Sequence, residues 1–147
     1  MEQKWICDNC GGVIENIDDG CLEWMAARQG EAFKIMKPQI VHRVKCLYNQ
    51  ERLLKDYNAI LEDISLRYLL GYDGLMELLS LVSDADKENQ EDFIRIIKRL
   101  HIPNYEESFR YFKSALNNFV FEPTTKPDYY SQQDMKAVIE WKNKIEK

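Results

Sequence analysis

Cysteine is scarce in this chain and confined to one end: four residues, Cys7, Cys10, Cys21 and Cys46, with none in the following 101 positions. Histidine is scarcer still, with only His42 and His101. No run approaches the roughly eighteen apolar residues of a membrane span. The opening MEQKWICDNC has neither the basic n-region nor the apolar h-region of a secretory signal, so a cytoplasmic chain is expected. An excess of positive charge is missing as well. Twenty basic against twenty-five acidic residues leave a net charge of −5, which argues against coating nucleic acid or anionic membrane with the whole surface. Nucleotide and calcium loops are absent too: Gly71-Tyr72-Asp73-Gly74 lacks the Lys-Ser or Lys-Thr of a phosphate loop, and Asp84, Asp86 and Glu88 lack the glycine and closing glutamate of a calcium loop.

What is present is a spacing. Cys7 and Cys10 form a Cys-x2-Cys pair, and His42 and Cys46 follow about thirty residues later as His-x3-Cys. Three thiolates and an imidazole in two close pairs are the donors of a closed, four-coordinate structural Zn²⁺ site. In a reducing compartment such clustering is better explained by metal than by disulfides. Gly11-Gly12 supplies the backbone freedom for a tight knuckle. The fourth ligand has an alternative, because Cys21 is a spare thiol that could replace His42. We prefer His42, since Cys21 alternates with its neighbours like an ordinary strand cysteine. His101, at a helix end, is expected to face solvent or a carbonyl.

The texture along the chain predicts an α+β, mostly helical protein. Residues 1–48 are expected to form a zinc-bound knuckle and β-hairpin module, with strands over 21–25 and 32–36, a turn at Gln29-Gly30-Glu31, and a break at Pro38. Residues 49–121 are expected to form a body of four helices. The first carries Leu53, Leu54, Tyr57, Ile60, Leu61, Ile64 and Tyr68 and ends at Gly71; Asp73 caps the second. The third stops before Pro103, and Asn104 with Glu107 caps the fourth. Residues 122–147 hold a proline-containing linker or strap and a last helix capped by Ser131.

Knuckle, hairpin and a ligand pair leading into a helix resemble the treble-clef class of zinc modules over residues 1 to about 60. CDNCG is similar to that class, whereas His42-x3-Cys46 departs from its usual closing Cys-x2-Cys. The opening, with GCLEW and the IVH before the ligand, also resembles small uncharacterised proteins of bacteria and their phages. That likeness implies a regulatory or adaptor protein, one that acts in conflict between host and mobile element.

Catalysis is not expected. The signatures His-Glu-x-x-His and His-x-Glu with Pro-Cys-x-x-Cys are missing, and Glu23, a base only if a ligand were lost, reads as the solvated face of a strand. The expected function is a non-enzymatic, zinc-stabilised interaction or regulatory adaptor whose partner is another protein. The alternative is nucleic-acid binding. Arg28, Lys34, Lys37, Arg43 and Lys45 against Glu31 give a local +4 beside Trp24 and Phe33, although residues 51–121, with nine basic and thirteen acidic residues, carry −4. A zinc-dependent hydrolase is the third and weakest reading.

Overall fold

The computed structural model describes residues 3–146. Helix takes 47% and strand 22%, so helix predominates as expected, but the strands do more than form one small hairpin. The chain divides into two compact units, Met1–His101 and Ile102–Lys147.

In the first unit β1 (Trp5–Ile6) and β2 (Val13–Ile14) pair antiparallel around the knuckle. A 3₁₀ turn, Ile17–Asp19, leads into β3 (Gly20–Gln29), which pairs antiparallel with β4 (Ala32–His42). Gly30 holds φ of 64° in the two-residue turn between them, a conformation that glycine adopts without steric cost. Pro38 does not break β4. β4 lies at the edge of the sheet, where a missing N–H leaves no ladder bond unmade, and Lys37 and Pro38 together stand opposite Trp24 as a bulge, with Lys37 at φ 54°.

The first expected helix is the largest correction. It is cut into α1 (Gln50–Tyr57), β5 (Ala59–Ser65) and α2 (Leu66–Leu69). Asn58 adopts the left-handed conformation, φ 51°, and its N–H closes the end of α1 on the carbonyls of Leu53 and Leu54. The next seven residues then pair with the free edge of β3, from Ala27 opposite Ala59 to Cys21 opposite Ser65, giving the order β4-β3-β5. An unpaired edge on a buried central strand costs more than the helical periodicity of Ile60, Leu61 and Ile64 can return.

Helix α4 (Gln90–His101) packs on β4, and α3 (Tyr72–Asp84) packs on α4 and α2. Gly71, not Asp73, caps α3, and Asp73 lies in its first turn. Gly74 is needed there, since a Cβ would stand 2.2 Å from the Leu69 carbonyl carbon. One core joins Trp5, Cys7, Leu22, Trp24, Ile40 and Cys46 to Leu66, Leu69, Leu78, Phe93 and Ile96. It runs across the boundary expected at residue 48, so the metal-ligand segment and helices α2 to α4 share their burial.

The second unit has its own core of Tyr105, Phe112, Ala115, Met135 and Val138. Its first expected helix is broken into α5 (Tyr105–Ser108), a 3₁₀ turn (Phe109–Tyr111) and α6 (Phe112–Asn117). Asn104 makes no cap: it sits at φ 69°, and its amide donates to Gln132 Oε1 at 2.9 Å. Tyr130 stacks on Phe112 with ring centroids 3.7 Å apart, so the proline-containing segment ends as a strap on this core. Ser131 caps α7 (Gln132–Ile145) as expected, accepting from the Asp134 N–H at 3.0 Å. Among the described residues no helix is long and apolar enough to cross a membrane.

Candidate metal centre

Cys7 leaves the end of β1 and the chain turns back at once. The Cys7 N–H donates to the Gly12 carbonyl at 2.8 Å and the Gly11 N–H to the Cys7 carbonyl at 2.9 Å, with Gly11 at φ 75°. Gly12 donates its N–H to Cys10 Sγ at 3.4 Å. A side chain at Gly12 would crowd the site, because its Cβ would lie 3.4 Å from that sulfur and 3.9 Å from His42 Cε1.

The knuckle is anchored through Asp8. Its N–H donates to the Ile40 carbonyl at 2.8 Å, and its carboxylate accepts from the Ile40 N–H at 2.8 Å and from Arg99 Nη1 at 2.7 Å. Arg99, buried on α4, also reaches the Ile6 carbonyl with Nη2 at 3.0 Å, and its own carbonyl accepts from Trp5 Nε1 at 3.0 Å. A hydrogen-bonded arginine thus ties the metal end of the sheet to the helical layer.

β4 delivers His42 at its last position. Nε2 lies 3.2 Å from the Val13 carbonyl, which can only accept, so Nε2 is the donor there and Nδ1 is the ring nitrogen left to face the sulfurs. Nδ1 is 3.5 Å from Cys10 Sγ and 3.7 Å from Cys46 Sγ. A tetrahedral ion with sulfur at about 2.3 Å and nitrogen at about 2.0–2.1 Å separates its donors by about 3.5–3.8 Å, so these spacings fit one ion. The four donors of Cys7, Cys10, His42 and Cys46 all lie within 4.8 Å of one another.

Between the last two candidate ligands the chain makes a tight turn. Lys45 N–H donates to the Arg43 carbonyl at 2.7 Å, a three-residue closure that puts Val44 at φ 69°. A β-branched residue is strained there. Val44 is also 88% exposed, so packing does not hold it in place. The Arg43 N–H donates to the Asp19 carbonyl at 2.7 Å, fixing the start of the turn.

The thiols differ in acidity. Burial raises the Cys7 thiol, but backbone N–H groups of Cys10, His42 and Asn9, together with the His42 side chain, outweigh it and bring the pKa down to about 6. Cys46 is pushed up by burial and by the Cys7 and Cys10 sulfurs beside it. Crowded thiolates oppose one another's ionisation, and a dication bound among them would offset that repulsion.

The alternative ligand, Cys21, lies outside the cluster. It is buried in β3, and burial together with the nearby Glu23 and Asp63 carboxyls pushes its thiol up to about 12. His101 meets a carbonyl as expected, Leu69 O at 2.7 Å.

The five cations of the expected basic patch do not form one face. Arg28 and Lys34 lie at the turn end of the hairpin and Arg43 and Lys45 beyond its far end, about 30 Å of strand away at roughly 3.3 Å per residue. Lys34 is ion-paired with Asp86 at 3.0 Å and with Glu88, Lys37 lies over the Tyr57 ring, and Arg28 reaches the Gly30 carbonyl. Arg43 and Lys45 share a cavity with Asp18, Asp19, His42 and Val44.

Glu23 reverses its expected setting. Alternation placed it in solvent, yet it is fully buried, because the β5 strand flanks β3 on the second side and the chain at Tyr48 crosses over it. Oε1 accepts from the Gln39 side-chain amide and from the Tyr48 N–H at 3.0 Å, while Oε2 has no partner among the described residues. Burial raises its pKa, and the Asp63 carboxylate opposite on β5 raises it further. Neither Glu23 nor the Asp8–Arg99 pair carried a sequence signal, since both depend on which distant segment lies across them.

Comparison of the chain with protein-family models, with curated proteins and with solved structures finds no match.

Proposed function

We propose that this chain is a zinc-stabilised, non-enzymatic protein-interaction module of the adaptor or regulatory kind. The observation that carries this reading is that the donor atoms of Cys7, Cys10, His42 and Cys46 lie within 4.8 Å of one another; four protein ligands on one ion would fill a tetrahedron and leave no position for substrate. Three thiolates and one imidazole suit Zn²⁺, which imposes no other geometry and does no redox chemistry. The order of knuckle, hairpin, ligand pair and helix α1 agrees with a treble-clef arrangement. A site of this kind fixes a surface in place, and the work of the protein then falls to that surface.

Nucleic-acid binding is the second reading, supported by the exposed Arg43-Val44-Lys45 turn. Against it stand the Asp18 and Asp19 carboxyls in the same cavity and the ion pairs that occupy Lys34.

Affinity capture of the intact protein from its native cell, with a nuclease-treated sample in parallel, separates the two. A protein partner retained through nuclease treatment supports the adaptor. Loss of the captured material on nuclease treatment, together with salt-sensitive probe binding abolished by Arg43→Glu/Lys45→Glu, would establish the alternative. Elemental analysis should find one zinc per chain, lost in His42→Ala and kept in Cys21→Ala.

A further inference from the structure

Helix α3 has two apolar faces, and only one is used. Gly74, Leu78 and Leu81 turn inward and are buried. On the opposite side Tyr72, Met76 and Leu79 recur at spacings of four and three, the repeat of a single helical face, and they are 89%, 66% and 45% exposed. Tyr68, on α2 just before, is exposed as well. Isolated exposed apolar residues are ordinary, but a row of three large ones along one helix is the pattern of a docking face.

The charges that α3 itself carries are of one sign. Asp84, Asp73 and Glu77 project about 95–135° round the helix from the centre of the row, all along one side of it, and α3 contains no lysine or arginine. None of the three makes an ion pair among the described residues. An apolar row with a free acidic border complements an apolar row with a basic border. Tyrosine and methionine suit such a contact, tyrosine for its area at low entropy cost and methionine for its adaptability.

We propose that the Tyr72-Met76-Leu79 face of α3 docks a basic amphipathic helix of a partner protein, with Asp73, Glu77 and Asp84 pairing the partner's lysines or arginines. This rests on the adaptor reading and names the surface that reading requires.

The probe is a fluorescent synthetic Leu/Lys helix of about 14 residues, long enough for a continuous apolar face, beside a scrambled peptide of the same composition. The full-length zinc-loaded protein should bind the amphipathic peptide and not the scrambled one. Tyr72→Gln/Met76→Gln should weaken binding by about tenfold or more, as loss of central anchors does. Asp73→Asn/Glu77→Gln should weaken it by about threefold and flatten its salt dependence. Zinc content and circular dichroism check that the variants fold; the exposure of these side chains makes misfolding avoidable, and Tyr72→Phe, which keeps the apolar ring, should bind like the parent. Equal binding of both peptides, or no loss in Tyr72→Gln/Met76→Gln, would overturn the proposal. So would self-association of the parent that this double variant abolishes, because the occupant would then be a second copy. Repeating the cellular capture with the same variant separates the two levels: a partner still retained refutes this face alone, whereas nuclease-sensitive capture refutes the adaptor reading itself.

Discussion

At the scale of single residues, two side chains sit where they cost the fold something. Glu23 is buried with one carboxylate oxygen unpartnered among the described residues, and burial, with Asp63 opposite, holds its pKa above the ordinary glutamate value. Above that ordinary value the unfolded chain has released this proton while the folded chain keeps it, so stability falls as pH rises through the interval up to the raised native value. Glu23→Gln keeps an oxygen for the Gln39 and Tyr48 donors and removes the ionisation. Denaturant midpoints measured across this interval should show the variant gaining on the parent as pH rises, and a constant difference would contradict the burial argument. Val44 is the other case. The left-handed conformation costs an ordinary residue about 1–2 kcal/mol, and Val44→Gly removes that cost while losing little packing. Allowing for the extra freedom of glycine in the unbound loop, zinc should bind about fivefold more tightly, roughly 1 kcal/mol, in a chelator competition. Weaker binding would mean that the turn is not strained.

At the scale of elements, the link between the knuckle and α4 decides how firmly the metal end is held. Arg99 has only 3% of its side chain exposed and pairs with Asp8, itself 27% exposed, so truncation strands a largely buried carboxylate and the Ile6 carbonyl. Arg99→Ala should therefore cost about 3–5 kcal/mol in urea denaturation, the range for breaking a buried pair from one side. It should also speed hydrogen exchange at the Asp8 and Ile40 amides. A loss of under about 1 kcal/mol, typical of a surface pair, would show that the link is dispensable.

At the scale of the whole chain, the two cores should respond differently to a metal held by the cluster. Cys7 and Cys46 are part of the core that holds Leu66, Leu69, Leu78 and Phe93, whereas Tyr105, Phe112, Met135 and Val138 form a separate one. Zinc binding supplies on the order of 10 kcal/mol to such a site, more than a small core can replace. Chelation, or Cys7→Ser, should then release amide protection in α3 and α4 together with the sheet, while α7 keeps its protection. Exchange confined to residues 3–48 would restore the independent module expected from sequence texture.

Local chemistry was enough for the donor set, the knuckle glycines, the hairpin turn at Gly30 and the Ser131 cap. In each of these, and within each close pair of the donor set, a few neighbouring residues carry both the bonding groups and the backbone freedom that the feature needs. The class, α+β with helix predominating, was readable for the same reason. The third strand was not, because Ala59–Ser65 satisfies a helical and a strand pattern alike, and the choice fell to the open edge of β3. The burial of Glu23 depends on which segments cross over it. The grip of Arg99 on Asp8 joins residues 91 positions apart, and only the packed structure brings them within hydrogen-bonding distance.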